Sequence, residues 1–474
     1  MIERLASDSR RCAPGVAFFA YPGVAADGRA HIPEAIRRGA AGVLWESDGF
    51  DWREEWRVPN VPVGGLKAQA GLLAHEFYGR PSDALWTCGV TGTNGKTSSS
   101  QWIAAVLTGA GAKCGVLGTL GTGFPGALAD AGNTTPDALE LHRTLAAMRR
   151  EGAAAVAMEV SSHGLDQGRV NGVAFDCALF TNLTHDHLEY HGTMQAYAAA
   201  KARLFEAEGL GCAVLNLDDA FGVRLAARVR ECGVRTIGYS LSPGGVAPGS
   251  VDELLAAARI APERLELATS WGAAHTAFQP LGRFNVANAL GVLGCLLAYG
   301  LPFAQAVAAL GTLPPVPGRM QRVGDAPLTV IDYAHSPDAL EKVLQALRPL
   351  AQARDGRLAL VFGAGGDRDR SKRAPMGAAA SRLADRIVLT SDNPRSEDPL
   401  AILRDIEAGV STPHAIEPDR ARAIETAIGQ AADADVVLIA GKGHESWQEI
   451  AGRREPFSDA VVARAALERR AGKR

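Results

Sequence analysis

The sequence predicts an α/β protein of three domains, and three observations predict it. Its 474 residues suffice for roughly three separately cored domains. From about residue 80 onward, short apolar runs of strand length alternate with helix-compatible runs, the pattern of a parallel sheet covered by helices. Polar and glycine-rich clusters follow several of the apolar runs. Parallel α/β sheets hold their ligands there, beyond the carboxyl ends of the strands.

Composition narrows the class. Hydrophobic residues make up 47% and charged residues 21%, ordinary for a globular protein. A formal net charge of −3 exerts no general pull toward nucleic acid or membrane, so neither is an expected partner. Seven cysteines are scattered from Cys12 to Cys295 without CxxC pairs. They read as reduced thiols, not as a disulfide frame or a zinc site. Met1 leads directly into Glu3, Arg4, Asp8 and Arg10 with no apolar signal-peptide core, and no later segment has the length of a membrane span. The expectation is a cytoplasmic multidomain protein.

In the smaller N-terminal α/β domain, residues 1–79, Val16–Ala20 and Gly42–Trp45 are predicted strands with a helix over Ile32–Arg38 between them. Ser7-Asp8-Ser9-Arg10 and Pro22-Gly23-Val24-Ala25-Ala26-Asp27-Gly28 are polar or small and, taken alone, read as surface turns.

The central domain, residues 80–314, opens on Cys88-Gly89-Val90-Thr91-Gly92-Thr93-Asn94-Gly95-Lys96-Thr97-Ser98. An apolar run (Leu85 to Val90) enters this stretch and a helix-compatible run (Ser99 to Leu107) leaves it. Strand, glycine turn and helix start together make a phosphate site, because backbone N–H groups and the helix dipole point at one anion. Lys96 is placed to reach the terminal phosphates and the Thr97 hydroxyl to ligate Mg²⁺. The spacing departs from the standard P-loop, since two residues, not four, separate Gly92 from Gly95-Lys96. Further strands are expected at Lys113–Leu117, Ala153–Val160 and Cys177–Phe180, and helices at Asp137–Arg150, announced by Thr135-Pro136, Met194–Phe205 and Asn285–Tyr299. Residues 241–280 carry little periodicity. Glu159-Val160-Ser161-Ser162-His163-Gly164 and Thr181-Asn182-Leu183-Thr184-His185-Asp186-His187 follow two of the strands.

Leu313-Pro314-Pro315-Val316-Pro317-Gly318 is the expected boundary into a Rossmann-like C-terminal domain, residues 315–474. Strands are expected at Leu328–Ile331, Leu358–Phe362, Arg386–Thr390 and Val436–Ala440. Helices are expected at Ala339–Leu350, Ala374–Leu383, Leu400–Ala408 and Arg420–Ala432. Each strand is followed by a polar cluster: Asp332-Tyr333-Ala334-His335, Gly363 to Arg368, Ser391-Asp392-Asn393-Pro394-Arg395, and Gly441-Lys442-Gly443-His444-Glu445.

A nucleoside triphosphate is bound with a cation, and the cation needs ligands. Glu159 and His187 stand at strand ends of the sheet that carries the phosphate loop. From spacing they are either metal ligands or an ion-pair partner and a structural histidine. Lys201 by itself reads as a solvated helix charge.

Gly92-Thr93-Asn94-Gly95-Lys96-Thr97, Glu159 to Gly164, Asn285-Val286-Ala287-Asn288 and Pro317-Gly318-Arg319 resemble the signatures of the Mur ligases. The resemblance runs from Asp8-Ser9-Arg10 to about Glu445. It is strongest to the ligases that add meso-diaminopimelate to UDP-N-acetylmuramoyl-L-alanyl-D-glutamate in peptidoglycan synthesis. It implies that ATP phosphorylates the D-glutamate side-chain carboxyl, after which the incoming amine displaces phosphate. It further implies that Lys96, Glu159, His187 and Lys201 are catalytic, and that Thr97, Glu159, His187 and a carbamylated Lys201 hold Mg²⁺. The implied ATP contacts are Gly92, Thr93, Asn94, Gly95, Lys96, Thr97, Ser98, Asn285, Asn288, Arg319 and Asp332. Ser7, Ser9, Val24, Ala25 and Ala26 match uridine-nucleotide contacts. Asn133, Thr134, Thr135, Ser161, Gln167 and Arg169 match contacts to the muramoyl-peptide. Arg368, Asp392, Asn393, Pro394, Arg395, Gly441 and Glu445 match contacts to the amino acid. A guanidinium binds a carboxylate through two parallel hydrogen bonds, so Arg395 favours diaminopimelate over lysine, which lacks the second carboxylate. The other reading of Arg395 is a salt bridge with Glu397 or Asp398. The chain is also expected to start later than typical relatives and to act as a monomer on small-molecule substrates.

Two alternatives make different demands. Folylpolyglutamate synthetases share a similar phosphate loop and central fold but lack the first domain and the Asp-Asn-Pro-Arg motif. A non-catalytic nucleotide-binding regulator has no need to keep Lys96, Glu159, His187 and Lys201 together.

Overall fold

The computed structural model describes residues 1–23, 26–130, 132–261, 264–278 and 281–472. By compactness the chain divides into two units. The first comprises Met1–Leu183, Thr193–Thr276 and Ala289–Gly311, and the second Thr184–Gly192, Ala277–Asn288 and Thr312–Arg474.

In the first unit, Arg4–Ala6, Val16–Ala20, Gly42–Glu46 and Asn60–Val63 form a four-stranded sheet in chain order, every neighbouring pair parallel. Successive side chains point to opposite faces of a strand. Phe18 and Ala20 accordingly pack with Ile32, Ala35, Val43 and Trp45. Ala17 and Phe19 pack with Leu66, Ala70 and Ala74 of the helix Leu66–Phe77.

The same unit holds an 11-stranded sheet. Its parallel part runs Glu253–Ala261, Arg235–Ser240, Cys212–Asn216, Cys177–Phe180, Trp86–Thr91, Ala155–Glu159, Cys114–Gly118. Antiparallel strands extend both edges: Gly121–Phe124 and Ala127–Ala129 on one side, Arg264–Thr269 and Gly272–Thr276 on the other. Stretch 241–280, which showed little periodicity, thus contributes edge strands. Its strand Arg264–Thr269 alternates buried Leu265 and Leu267 with more open neighbours. Strand Trp86–Thr91 lies mid-sheet, and every one of its residues after Trp86 is buried.

Several element limits shift for local reasons. The helix after the phosphate loop begins at Lys96, not Ser99, because Gly95 at φ +90° closes the turn directly onto it. The helix expected at Asp137–Arg150 runs Ala138–Arg150, with Asp137 as its cap, whose carboxylate accepts from the Leu139 and Glu140 N–H groups. The helix over Met194–Phe205 ends at Ala202 and continues as a 3₁₀ turn, Arg203–Glu206.

In the second unit a six-stranded sheet has the order Gln321–Asp325, Leu328–Asp332, Val436–Ala440, Leu358–Phe362, Arg386–Leu389, His414–Ile416, parallel except for the first pair. Val330, Leu360 and Leu438 face one core, with Leu340 and Leu344 from the helix Pro337–Ala353 and Met376 from Arg373–Leu383. Ile331, Val361 and Ile439 face the other core, with Ile424 and Ile428 from Arg420–Gln430 and Ala463 from Asp459–Ala471. Helices therefore cover both faces, which explains why these strands read as continuous apolar runs.

Candidate active site

The phosphate loop is a built cradle. Gly92 (φ +146°) and Gly95 (φ +90°) adopt backbone that other residues avoid, and a Cβ at Gly92 would collide with the Thr181 hydroxyl. Asn182 clamps the loop, accepting from the Asn94 N–H (3.0 Å) and donating to the Asn94 carbonyl (3.0 Å). Lys96 Nζ folds back to the carbonyls of Gly92 (2.8 Å) and Thr93 (2.9 Å), within the turn it is expected to serve. Ser98 is buried on the first helical turn.

Two of the expected metal ligands meet here. Thr97 Oγ1 donates to Glu159 Oε2 at 3.0 Å. Glu159, 1% exposed, also accepts from the N–H (2.7 Å) and hydroxyl (3.1 Å) of Thr119. Gly118 makes room for this carboxylate, since any Cβ there would strike it. A hydroxyl beside a fixed carboxylate, next to a phosphate cradle, is the oxygen donor set that Mg²⁺ takes. Lys201 is 1% exposed, so the solvated-charge reading fails. Its ammonium donates to the Gly92 carbonyl at 2.8 Å and lies 4.4 Å from the Tyr197 ring centroid. Tyr197 also meets the Thr93 hydroxyl at 3.2 Å. Tyr197 and Thr119 were invisible as site residues in the sequence, because each acts only through a partner brought to it by folding.

The residues matched to the muramoyl-peptide are continuous with this cluster. Thr134 meets the Thr119 hydroxyl (3.1 Å), and Thr135 donates to the Glu159 carbonyl (2.9 Å) and meets Ser161 (3.1 Å). Arg169 grips Gln167 Oε1 with Nε and Nη2 and the Thr135 carbonyl with Nη1. Ser7 and Asn133 both line a cavity of about 200 Å³, with Arg4, Arg11 and Asp137. Ser9 instead turns inward, donating to Glu34 at 2.8 Å. Val24 and Ala25 lie outside the described residues, and the Ala26 carbonyl accepts from Gly23 N–H.

His187 belongs to the second unit. It sits at φ +54° before the short helix Leu188–His191, half-exposed, between Asp186 (3.5 Å) and Glu189 (3.5 Å). In that unit the Asn285 amide donates to the Leu281 carbonyl and accepts from Asn288 (3.4 Å). Asp332, at the end of its strand, accepts from the Met320 and Ala334 N–H groups at 2.8 Å each. Burial raises its pKa against the opposing pull of Arg319. The Arg319 guanidinium stands 4.5 Å from the Tyr333 ring centroid.

The residues matched to the amino acid form a second polar cluster of that unit. Arg395, in left-handed backbone (φ +55°), places Nη1 on the Gly366 carbonyl (2.6 Å). A Cβ on Gly365 would lie 2.9 Å from Arg395 Nη1 and 3.6 Å from Arg368 Cγ, so the bare glycine separates the two arginines. The alternative partners of Arg395 are engaged elsewhere. Glu397 pairs with the buried Arg373 (2.8 Å), while Asp398 caps the helix Pro399–Glu407 and faces Arg404. Asn393 donates to Glu445 Oε2 (2.8 Å), and fully buried Lys442 donates to both Glu445 (2.8 Å) and Asn393 (2.9 Å). A Cβ on Gly441 would come 2.5 Å from Asp392 Oδ2. Pro394 fixes the bend, its carbonyl directly against Gly366. Lys442 escaped sequence reasoning, because a lysine between glycines looks like a solvent-facing loop residue.

Comparison with known proteins decides the family. Three family models match in order: the Mur ligase family catalytic domain at residues 1–78, the Mur ligase middle domain at 90–296, and the Mur ligase glutamate ligase domain at 318–443. The chain belongs to the Mur ligase family. Among curated relatives, the UDP-N-acetylmuramoyl-L-alanyl-D-glutamate–2,6-diaminopimelate ligase of Chromobacterium violaceum is 51% identical over 98% of this chain and 94% of its own length. The ligase of the same name from Pseudomonas aeruginosa is 50% identical over 98% and 95%. A solved structure of such a ligase is 35% identical, with a TM-score of 0.69 over 99% of this Mur ligase and 95% of that chain. A folylpolyglutamate synthase from Mycobacterium tuberculosis, complexed with ADP and AMPPCP, shares the fold at 18% identity and TM-score 0.63.

Proposed function

We propose that this Mur ligase uses ATP and Mg²⁺ to join meso-diaminopimelate to the D-glutamate of UDP-N-acetylmuramoyl-L-alanyl-D-glutamate, through an acyl phosphate, in peptidoglycan precursor synthesis. Two relatives at about half identity carry that activity in their names. Carboxylate is a poor electrophile, so phosphorylation supplies the leaving group the incoming amine displaces. Lys96 and the N–H groups of the loop hold the transferring phosphate, a role in which fixed donors act at the developing charge. Thr97, Glu159, His187 and Lys201, as its carbamate, would hold Mg²⁺, which when bound would supply positive charge against that developing charge. Carbamylation takes one proton from the Lys201 ammonium to free its amine, joins CO₂ to that nitrogen with loss of a second proton, and so turns a buried cation into an anionic ligand. Asn285, Asn288, Arg319 and Asp332 hold the adenosine. Ser7, Ser9 and the Val24-Ala25-Ala26 loop hold uridine, and Asn133, Thr134, Thr135, Ser161, Gln167 and Arg169 hold the muramoyl-peptide.

The observation that carries the amino-acid choice is Arg395, whose sequence-adjacent carboxylates are taken by Arg373 and by a helix cap. Its guanidinium, with Arg368, is left to receive the far carboxylate, while Glu445 and Gly441 take the far ammonium. We further read the chain as three domains, 1–79, 80–314 and 315–474, which the limits of the three family models support. Among the described residues no helix is long and apolar enough to cross a membrane. We read the chain as a cytoplasmic monomer acting on small molecules.

The test is phosphate release by the purified protein with ATP, Mg²⁺ and the UDP-muramoyl-dipeptide, with meso-diaminopimelate and L-lysine supplied in parallel. Turnover with diaminopimelate and little with lysine is expected. Faster turnover with lysine would overturn the specificity, and none with either would overturn the enzymatic reading.

A further inference from the structure

The central sheet carries a group of thiols that the ligase chemistry does not use. Cys88, Cys177 and Cys212 lie on three adjacent parallel strands, with Cys88 opposite Cys177 and Cys177 opposite Cys212 in register. Residues in register on parallel strands face the same side of a sheet. Cys295, on the helix Arg283–Tyr299, meets that side, its sulfur 3.8 Å from Cys88 Sγ. The sulfurs of Cys88, Cys177 and Cys295 all lie within 4.8 Å of one another. All three residues are 0% exposed, and all are free thiols.

This spacing has a chemical meaning. A disulfide needs its sulfurs about 2 Å apart, far closer than these. Three sulfurs around one metal ion at about 2.3 Å each stand roughly 4 Å apart in a trigonal plane, which fits the 3.8 Å between Cys88 and Cys295 and the 4.8 Å limit on all three. Among the described residues no carboxylate or imidazole joins the group, so its donors are purely soft and select ions such as Cu(I) over Mg²⁺. Charge narrows the choice further. A net charge in a fully buried site is costly, and a monovalent ion that displaces one thiol proton leaves the site neutral.

We propose that Cys88, Cys177 and Cys295 form a binding site for one soft monovalent metal ion of the Cu(I) or Ag(I) class, on the strand that feeds the phosphate loop. On binding, one S–H bond breaks, one sulfur–metal bond forms, the proton leaves to solvent, and the other two sulfurs donate lone pairs. Cys212, beside Cys177, stands as a further sulfur at the edge of the site. Burial makes uptake slow, since the ion enters only when the helix and sheet part locally.

The full chain, reduced and metal-free, is titrated anaerobically with Cu(I) held by a chromogenic competing chelator, and native mass spectrometry counts the ions. One tightly held ion per chain is expected. Cys295→Ala and Cys177→Ala should weaken it by more than the roughly tenfold that loss of an outer-shell partner costs. Cys232→Ala, at an exposed thiol, should change nothing. Circular dichroism confirms that the variants fold, and Ag(I) should displace Cu(I) one for one. Failure of the wild type to take up Cu(I), unaltered affinity in folded Cys295→Ala, or loss of binding in Cys232→Ala would each overturn the assignment.

Discussion

Arg395 shows how far one residue can carry a specificity argument. Its motif was legible in the sequence, but whether its guanidinium was free of Glu397 and Asp398 was not. Folding brings the buried Arg373 to Glu397, a contact across 24 residues that no spacing rule anticipates. Arg395→Ala is expected to raise the KM for diaminopimelate by roughly 10- to 150-fold, the worth of a charge-assisted hydrogen bond, and to leave the KM for ATP nearly unchanged. Steady-state kinetics with each substrate varied in turn checks this, and an equal loss for ATP would show Arg395 to be structural. Glu159 makes a second case. The sequence left it open between ion-pair partner and metal ligand, whereas the structure surrounds it with hydroxyls and an N–H group and pairs it with Thr97. Gly118→Ala, which pushes a methyl group into that carboxylate, should raise the Mg²⁺ concentration needed for half-maximal rate. An unchanged Mg²⁺ dependence would separate Glu159 from the metal.

At the scale of elements, two buried arginines hold the segments that carry the polar cluster around Arg395. Arg420 and Asp459, each the first residue of its helix and each 0% exposed, pair at 2.7 Å. Arg420 also donates to the carbonyls of Ser391 and Ala440, the residues just before Asp392 and Gly441. Arg420→Met strands a buried carboxylate and should cost about 3–5 kcal/mol in urea unfolding, with Asp459→Asn added to it recovering part. Arg373 ties Glu397 and Asp405 to the Gly365 carbonyl. Its hydrogen bonds lower both carboxyl pKa values, from 4.5 and 3.8. The stability they contribute is therefore complete above those values and is lost as pH falls through the lowered ones. The gap in urea midpoint between wild type and Arg373→Met should be wide at neutral pH and narrow in strong acid. A gap that stays constant with pH would exclude this coupling. The sequence shows Arg420 only as the start of a helix and Arg373 just ahead of one, because burial of a charge shows only once its partner helix is placed.

For the whole molecule, chain order and compactness differ. The second unit takes in Ala277–Asn288 as well as everything from Thr312, and Leu281 and Phe284 pack on its core. A fragment starting at 277 should therefore unfold at higher urea than one starting at 312, by on the order of 2 kcal/mol for two partly buried apolar side chains. Equal midpoints would show those contacts to be idle. Sequence alone settled the α/β class, the central strands and the polar clusters at their ends, because a strand buried on both faces leaves an unbroken apolar run and its loop must be polar. It also marked the tight turn at Gly92 and Gly95, whose glycines answer a purely local demand for positive φ. Only the tertiary structure decided what those clusters contact: that Lys201 is buried against the loop, that Arg395 is left by its neighbouring carboxylates, and that Cys88, Cys177 and Cys295 meet. Each depends on strand register and helix placement across many tens of residues, and such pairings leave no period in the chain.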